Sequence, residues 1–249
     1  MLTSNGEKMT LDYAKGLTFA FEDKDWLSKL GKGALWAFIS TILFIIPLYF
    51  FMLGYALDTA RNVMKGEKHP LPNLDDVGEV YKDGARFFVV TLFYSLPAVI
   101  LYCIMFIFLI AGAAASESAG ISEDTLAAAM GGGMLAVQCI LYIYLLIVGL
   151  MLPAIMVRYL RTDDIRETLN IGQVFAILRE NFVPCLMIML MYIAATIIWE
   201  IVLVVSFITI CGWIFVLFAG YPWLMAVQGH LVGQFASQLD DKTQRIHAI

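Results

Sequence analysis

Apolar positions in this chain gather into runs rather than alternating with polar ones. The first run, GALWAFISTILFIIPLYFFMLGYA, extends from Gly33 to Ala56 and holds Pro47. The second covers Phe87 to Gly112 and the third Met134 to Val157. The last, Phe182 to Phe235, carries Glu200 as its one formal charge besides neutral His230. A helix needs about 20 apolar residues to cross a hydrocarbon layer about 30 Å thick. Runs two and three therefore predict one span each. At about 1.5 Å per residue the last run is too long for one span. It divides at SFITICGW, Ser206 to Trp213, into spans over 182–205 and 211–235. The halves of the first run, Gly33–Ile46 and Leu48–Ala56, are each too short to cross, and proline removes a helix hydrogen bond. That run is expected to be kinked, broken or re-entrant at Pro47. The pattern predicts an all-α, polytopic membrane bundle of about five segments, organised as one membrane domain. Residues 1–32 form an N-terminal cytoplasmic or interfacial segment, 33–235 the bundle and 236–249 a cytoplasmic tail.

Between the runs, a helical period appears twice. Leu74, Val77, Val80, Tyr81, Ala85 and Phe88 fall on one face at three-and-four spacing, as do Ile171, Val174, Phe175 and Leu178. Asn73 or Asp75 is placed to cap the first of these helices, whose acidic first turn suits the helix dipole. Both are expected to lie in the headgroup plane, apolar side down. PLYFFMLGYALDTAR followed by GARFFVVTLFY parallels LPAIMVRYLRTDDIR followed by NIGQVFAILRENFVPCLMIMLMY. Each unit is an apolar helix with a proline, an exit at arginine, a short half-apolar helix and a new span.

Composition agrees: 61% of residues are hydrophobic and 15% charged, with mean hydropathy +0.80, against about half and a quarter in soluble domains. Charge then orients the chain. The segment Ala111–Gly133 holds no Lys or Arg, and neither does the turn at 206–212. All 16 basic residues lie before residue 33, between Arg61 and Arg86, between Arg158 and Arg179, or in the C-terminal tail. Basic segments stay cytoplasmic, so 54–86, 158–180 and the C-terminus are expected inside. A crossing first run would leave the five basic residues before residue 33 outside; a re-entrant one keeps all 16 inside. A net charge of −5 with dispersed basic residues argues against a nucleic-acid partner. The start MLTSNGEKMTLDYAKGLTF lacks the apolar core and cleavage site of a signal peptide.

Gly54-Tyr55, Arg61, Gly66, Leu71-Pro72, the acidic segment after them, Gly84 and Pro97 resemble the prokaryotic membrane-protein family called domain of unknown function 4013. The likeness runs from about Phe21 to Phe235. It implies a multi-pass bundle in a prokaryotic cytoplasmic membrane and no established activity. The family's Leu-Pro is usually followed by an acidic residue and tryptophan, where this chain has Asn73-Leu74.

Candidate chemistry is sparse. His69, His230 and His247 have no spacing suited to a metal site, and no nucleophile, nucleotide or zinc-protease motif is present. Asp75-Asp76 and Asp163-Asp164 read as first helical turns. The four cysteines read as small buried hydrophobes, with a Cys139–Cys211 bridge as the alternative. Glu200, beside Trp199, reads as an interfacial carboxylate or as a polar contact within the bundle, with Gln138 at similar depth as its partner; charge within a span is costly. Gly229 and Gly233 form a GxxxG that permits close helix packing. Arg86, Arg158, Arg161, Arg166 and Arg179 form a cytoplasmic basic rim suited to anionic headgroups. The expectation is a non-enzymatic membrane protein without cofactor: a structural, lipid-interacting or accessory subunit, partnered by lipids and by itself or other membrane proteins. The alternatives are a small transporter or channel built on the repeat, and, more weakly, a headgroup enzyme using His69, Asp75 and Asp76.

Overall fold

The computed structural model describes residues 11–43, 45–119, 123–208 and 210–247, with side chains at 42, 43, 45–47, 113–119, 123–130, 210, 211, 215 and 240–247 left out of the description. Every regular element among them is helical. In chain order these are α1 Tyr13–Glu22, α2 Trp26–Leu43, α3 Ile45–Met64, α4 Val77–Ala119, α5 Glu123–Thr162, α6 Ile165–Thr168, α7 Ile171–Glu180, α8 Phe182–Ser206 and α9 Ile210–His247. Among the described residues, four stretches are long and apolar enough to cross a membrane: Val77–Gly112, Gly131–Thr162, Phe182–Ser206 and Gly212–Leu239. With backbone polar groups satisfied inside each helix, such segments are stable in hydrocarbon, and the protein is an integral membrane protein.

The chain divides into two units, residues 1–90 with 151–249, and residues 91–150. In the first unit α9 is the central helix, contacting α1, α2, α3 and α8. Gly33 on α2 receives Pro222 at 3.0 Å, measured from the Cβ a larger residue would carry, and Phe38 packs edge-on against Phe218 at 5.1 Å. Further along, Gly229 meets Ala56 and Gly233 meets Ala60 on α3. So α2 runs antiparallel to α9 and α3 parallel to it. The two form a hairpin, with Phe51, Met52, Tyr55, Leu30 and Ala37 buried within one apolar cluster. The first apolar run is thus broken, but before Pro47 rather than at it. Proline stands in the first turn of α3, where a missing N–H costs no hydrogen bond.

The other departure concerns the short amphipathic helices. The second is the separate α7, capped by Asn170, whose side chain accepts from Gln173 N at 3.3 Å. Val174 and Leu178 face inward. The first is continuous with its span in α4, and its cap is Asp76, accepting from Glu79 N at 3.2 Å, not Asn73 or Asp75. The difference lies at the ends. Asn181 takes a non-helical conformation between α7 and α8. Gly84 stays helical, pressed against Phe50 O and Gly54 N of α3, where a side chain would collide with backbone.

The second unit consists of the later part of α4 and the earlier part of α5. Tyr144 donates its hydroxyl to Tyr94 O at 2.6 Å, and Ala98 and Leu141 are buried. Most other apolar side chains are exposed, Phe108 at 70%. A groove of about 430 Å3 runs between the helices, lined by Leu101, Met105, Phe108, Gly112, Gly133 and Val137 among others. Cys139 is a free, exposed thiol, so the bridge to Cys211 is not formed; the side chain of Cys211 lies outside the described residues.

Candidate functional site

Polar side chains concentrate at the end of the first unit where α3 finishes and α4 begins. The chain leaves α3 through a Schellman turn. Glu67 N bonds to Asn62 O at 3.0 Å and Gly66 N to Val63 O at 2.9 Å, with Gly66 at φ 75°. Asn62 Nδ2 then donates to Pro70 O at 3.2 Å, and Leu71 and Pro72 are buried. Leu74 packs against the apolar cluster with its backbone at φ 57°, a conformation a bulky residue rarely adopts. This folds the loop over α3 and leaves a cleft of about 280 Å3 lined by Asp58, Glu67, Asp75, Asp76, Glu79 and Asp83, with Asn62 and Asn73. Burial, reinforced by Asp83 and Glu67 and partly offset by Arg61 and Lys65, holds the Asp58 carboxyl above the usual carboxylate range.

Arg61 stands beside the cleft. Its guanidinium pairs with Asp83 of α4 and reaches Asp163, just past α5, at 3.5 Å. Asp163 sits at φ 49°, which aspartate tolerates better than most residues. Asp164 caps α6, accepting from Arg166 N at 2.7 Å. Arg158 pairs with Glu167 at 2.8 Å, and Arg86 approaches Asp83 at 4.0 Å. Two members of the basic rim, Arg86 and Arg158, thus face acidic partners within the protein; Arg86, Arg161, Arg166 and Arg179 are all exposed. Tyr159 is buried against Phe87, at 5.0 Å between ring centres, and among the described residues its hydroxyl has no hydrogen-bond partner; the same holds for the hydroxyl of buried Tyr55 in the first repeat.

The N-terminal segment joins this end. Asp12 N donates to Gln234 Oε1 at 2.9 Å, Gly16 packs on Leu231, and Phe19 stacks on His230 at 4.1 Å. His230 is buried, with Nδ1 3.2 Å from Gln234 Nε2. Asp23 accepts from Asp25 N at 2.9 Å and pairs with Lys29 at 2.8 Å. Burial raises its pKa, but these hydrogen bonds with the Lys29 and His69 charges outweigh burial and hold it below the usual carboxylate range.

The remaining sequence candidates fall elsewhere. Glu200 is exposed. Its neighbour Trp199 is buried over Gly220 and donates its indole N–H to Val216 O at 3.3 Å. Gln138 is half-buried and belongs to the second unit, Glu200 to the first. Gly229 and Gly233 face Ala56, Thr59, Ala60 and Val63 on α3. Among the described residues no three His, Cys, Asp or Glu side chains are disposed to hold a metal ion. Sequence reasoning missed the grouping of Arg61, Asp83 and Asp163. Its one visible signal was the arginine that ends the apolar helix in each repeat.

The family described as Protein of unknown function (DUF4013) matches residues 37–217. No curated protein matches the chain. No solved structure matches it either.

Proposed function

The chain belongs to the DUF4013 family, and we propose that it is a non-enzymatic structural or accessory subunit, packing laterally in the membrane with lipids and with itself or another membrane protein. One observation carries this reading: the paired helices of residues 91–150 expose a long run of large apolar side chains and an apolar groove. Such a surface is suited to packing against acyl chains or apolar helices. The ion pairs of the first unit fit the same role, because they join the ends of α3, α4 and α5 to one another.

Native mass spectrometry of the full chain, extracted from its own membrane in mild detergent, tests the proposal. A higher oligomer, a bound membrane protein or retained lipid is the expected outcome. A lone monomer with neither lipid nor partner overturns it. A small transporter is the second reading, favoured by the recurrence of helix, buried tyrosine, turn, asparagine-containing link and span at α3–α4 and again at α5–α8. Solute flux into proteoliposomes that disappears in an Asp58→Asn variant of unchanged fold would favour this reading over the first.

A further inference from the structure

We propose that the α2–α3 hairpin is inserted into the bilayer from the cytoplasmic face and returns to it, its outer surface in contact with lipid. The inference rests on the chain being a membrane protein and adds the side of each segment. The apolar part of α2, Gly33–Leu43, rises about 16 Å and that of α3, Ile45–Ala56, about 18 Å, so neither matches a layer of about 30 Å. Both lie along α9, a membrane-spanning helix, so they share its hydrocarbon depth. The exposed side chains of Leu35 and Phe38 continue the lipid-facing surface of α9's neighbourhood.

Three contacts put the base of the hairpin at one end of the unit. Asp12 is held by Gln234 near the inner end of α9. Phe19 stacks on His230 of α9, and one turn on, Gly233 of α9 meets Ala60 and Val63 near the end of α3, so α1 and the end of α3 sit at the same end of α9. Arg61 at the end of α3 reaches Asp163 at the end of α5. The described basic segments therefore emerge together, and the arrangement satisfies the rule that basic segments remain cytoplasmic. A crossing first segment would separate α1 from the end of α3 by the thickness of the membrane, whereas both meet α9 between His230 and Gln234.

Single cysteines placed in a full-length background with Cys103, Cys139, Cys185 and Cys211 replaced by serine test the proposal. Lys24→Cys reports α1, Lys68→Cys the loop after α3, and Ile208→Cys the turn before α9, where Ile208 is 85% exposed. Sealed right-side-out spheroplasts are treated with a membrane-impermeant maleimide before and after permeabilisation. Ile208→Cys is expected to label in sealed spheroplasts, and Lys24→Cys and Lys68→Cys only after permeabilisation. Opposite behaviour of Lys24→Cys and Lys68→Cys overturns the hairpin. Labelling of both in sealed spheroplasts, with Ile208→Cys protected, overturns the cytoplasmic assignment. Release of the unmodified chain from membranes by alkaline carbonate would instead overturn the membrane reading itself. The lipid contact is read separately, from a fluorophore on Phe38→Cys in liposomes with acyl-brominated lipid: quenching is expected, and its absence overturns the lipid-facing surface.

Discussion

Two aspartates at the basic end respond to pH with opposite sign. The carboxyl of Asp23 is held below its usual range while buried against Lys29 and the Asp25 amide. A depressed pKa stabilises the fold above the unfolded value and loses that contribution as pH falls through the folded one, here below about pH 4. Asp58 is held above the usual range, so its ionisation opposes folding at neutral pH, and acidification removes that opposition. Asp23→Asn should cost about 2 kcal/mol at pH 7, the worth of hydrogen bonds to a buried charge, and much less below pH 4. Asp58→Asn should raise the melting temperature at pH 7 and leave it unchanged once the wild-type carboxyl is protonated. Thermal unfolding in detergent micelles at the two pH values checks both. A parallel response of the two variants would show that the hydrogen bonds and charges around Asp23 and the burial of Asp58 do not set these shifts.

At the scale of elements, glycines decide where helices touch. A methyl group at Gly229 would collide with the Ala56 carbonyl and come within 2.9 Å of Thr59 Cβ, so α3 and α9 would have to separate. Gly31 on α2 has nothing within 4 Å. Gly229→Ala should destabilise by about 2 kcal/mol through overpacking, whereas Gly31→Ala should gain up to about 1 kcal/mol from helix propensity. Denaturant titration in mixed micelles measures both, and equal effects would refute the close approach. The GxxxG pattern was legible in the sequence because glycine spacing is local; the helix it meets was not, because α3 is distant in the chain. The same contrast runs through the other elements. Hydrocarbon thickness fixes the length of a span, so α8 and α9 could be read with their turn at 206–212. Pro47 marked a disturbed segment, but proline is as well accommodated in a first turn as at a bend, so the break itself was misplaced. The fusion of the first amphipathic helix into α4 depended on the contact of Gly84 with α3, which no periodicity reveals.

For the molecule as a whole, Arg61 is the residue that joins the two repeats of the chain. It pairs with Asp83 on the helix following its own and with Asp163 at the end of the corresponding helix in the second repeat. Neither partner was legible, since adjacent acids such as Asp163-Asp164 read as a helix start; Asp164 fills that role and leaves Asp163 for Arg61. The two pairs differ in setting. Arg61 and Asp83 are 29% and 18% exposed, whereas Asp163 is 64% exposed, where an ion pair contributes about 0–1 kcal/mol. Arg61→Ala leaves Asp83 part-buried without its guanidinium and should cost about 2–3 kcal/mol. Asp163→Asn should change stability little. Stability alone leaves the joining role untested, so protease digestion under native conditions supplies a second reading. If Arg61 holds the repeats together, Arg61→Ala should expose the 65–76 loop and the 163–170 segment to cleavage at the same time, and Asp163→Asn should expose the second alone. Cleavage confined to the 65–76 loop in Arg61→Ala would reduce Arg61 to a local support of its own repeat.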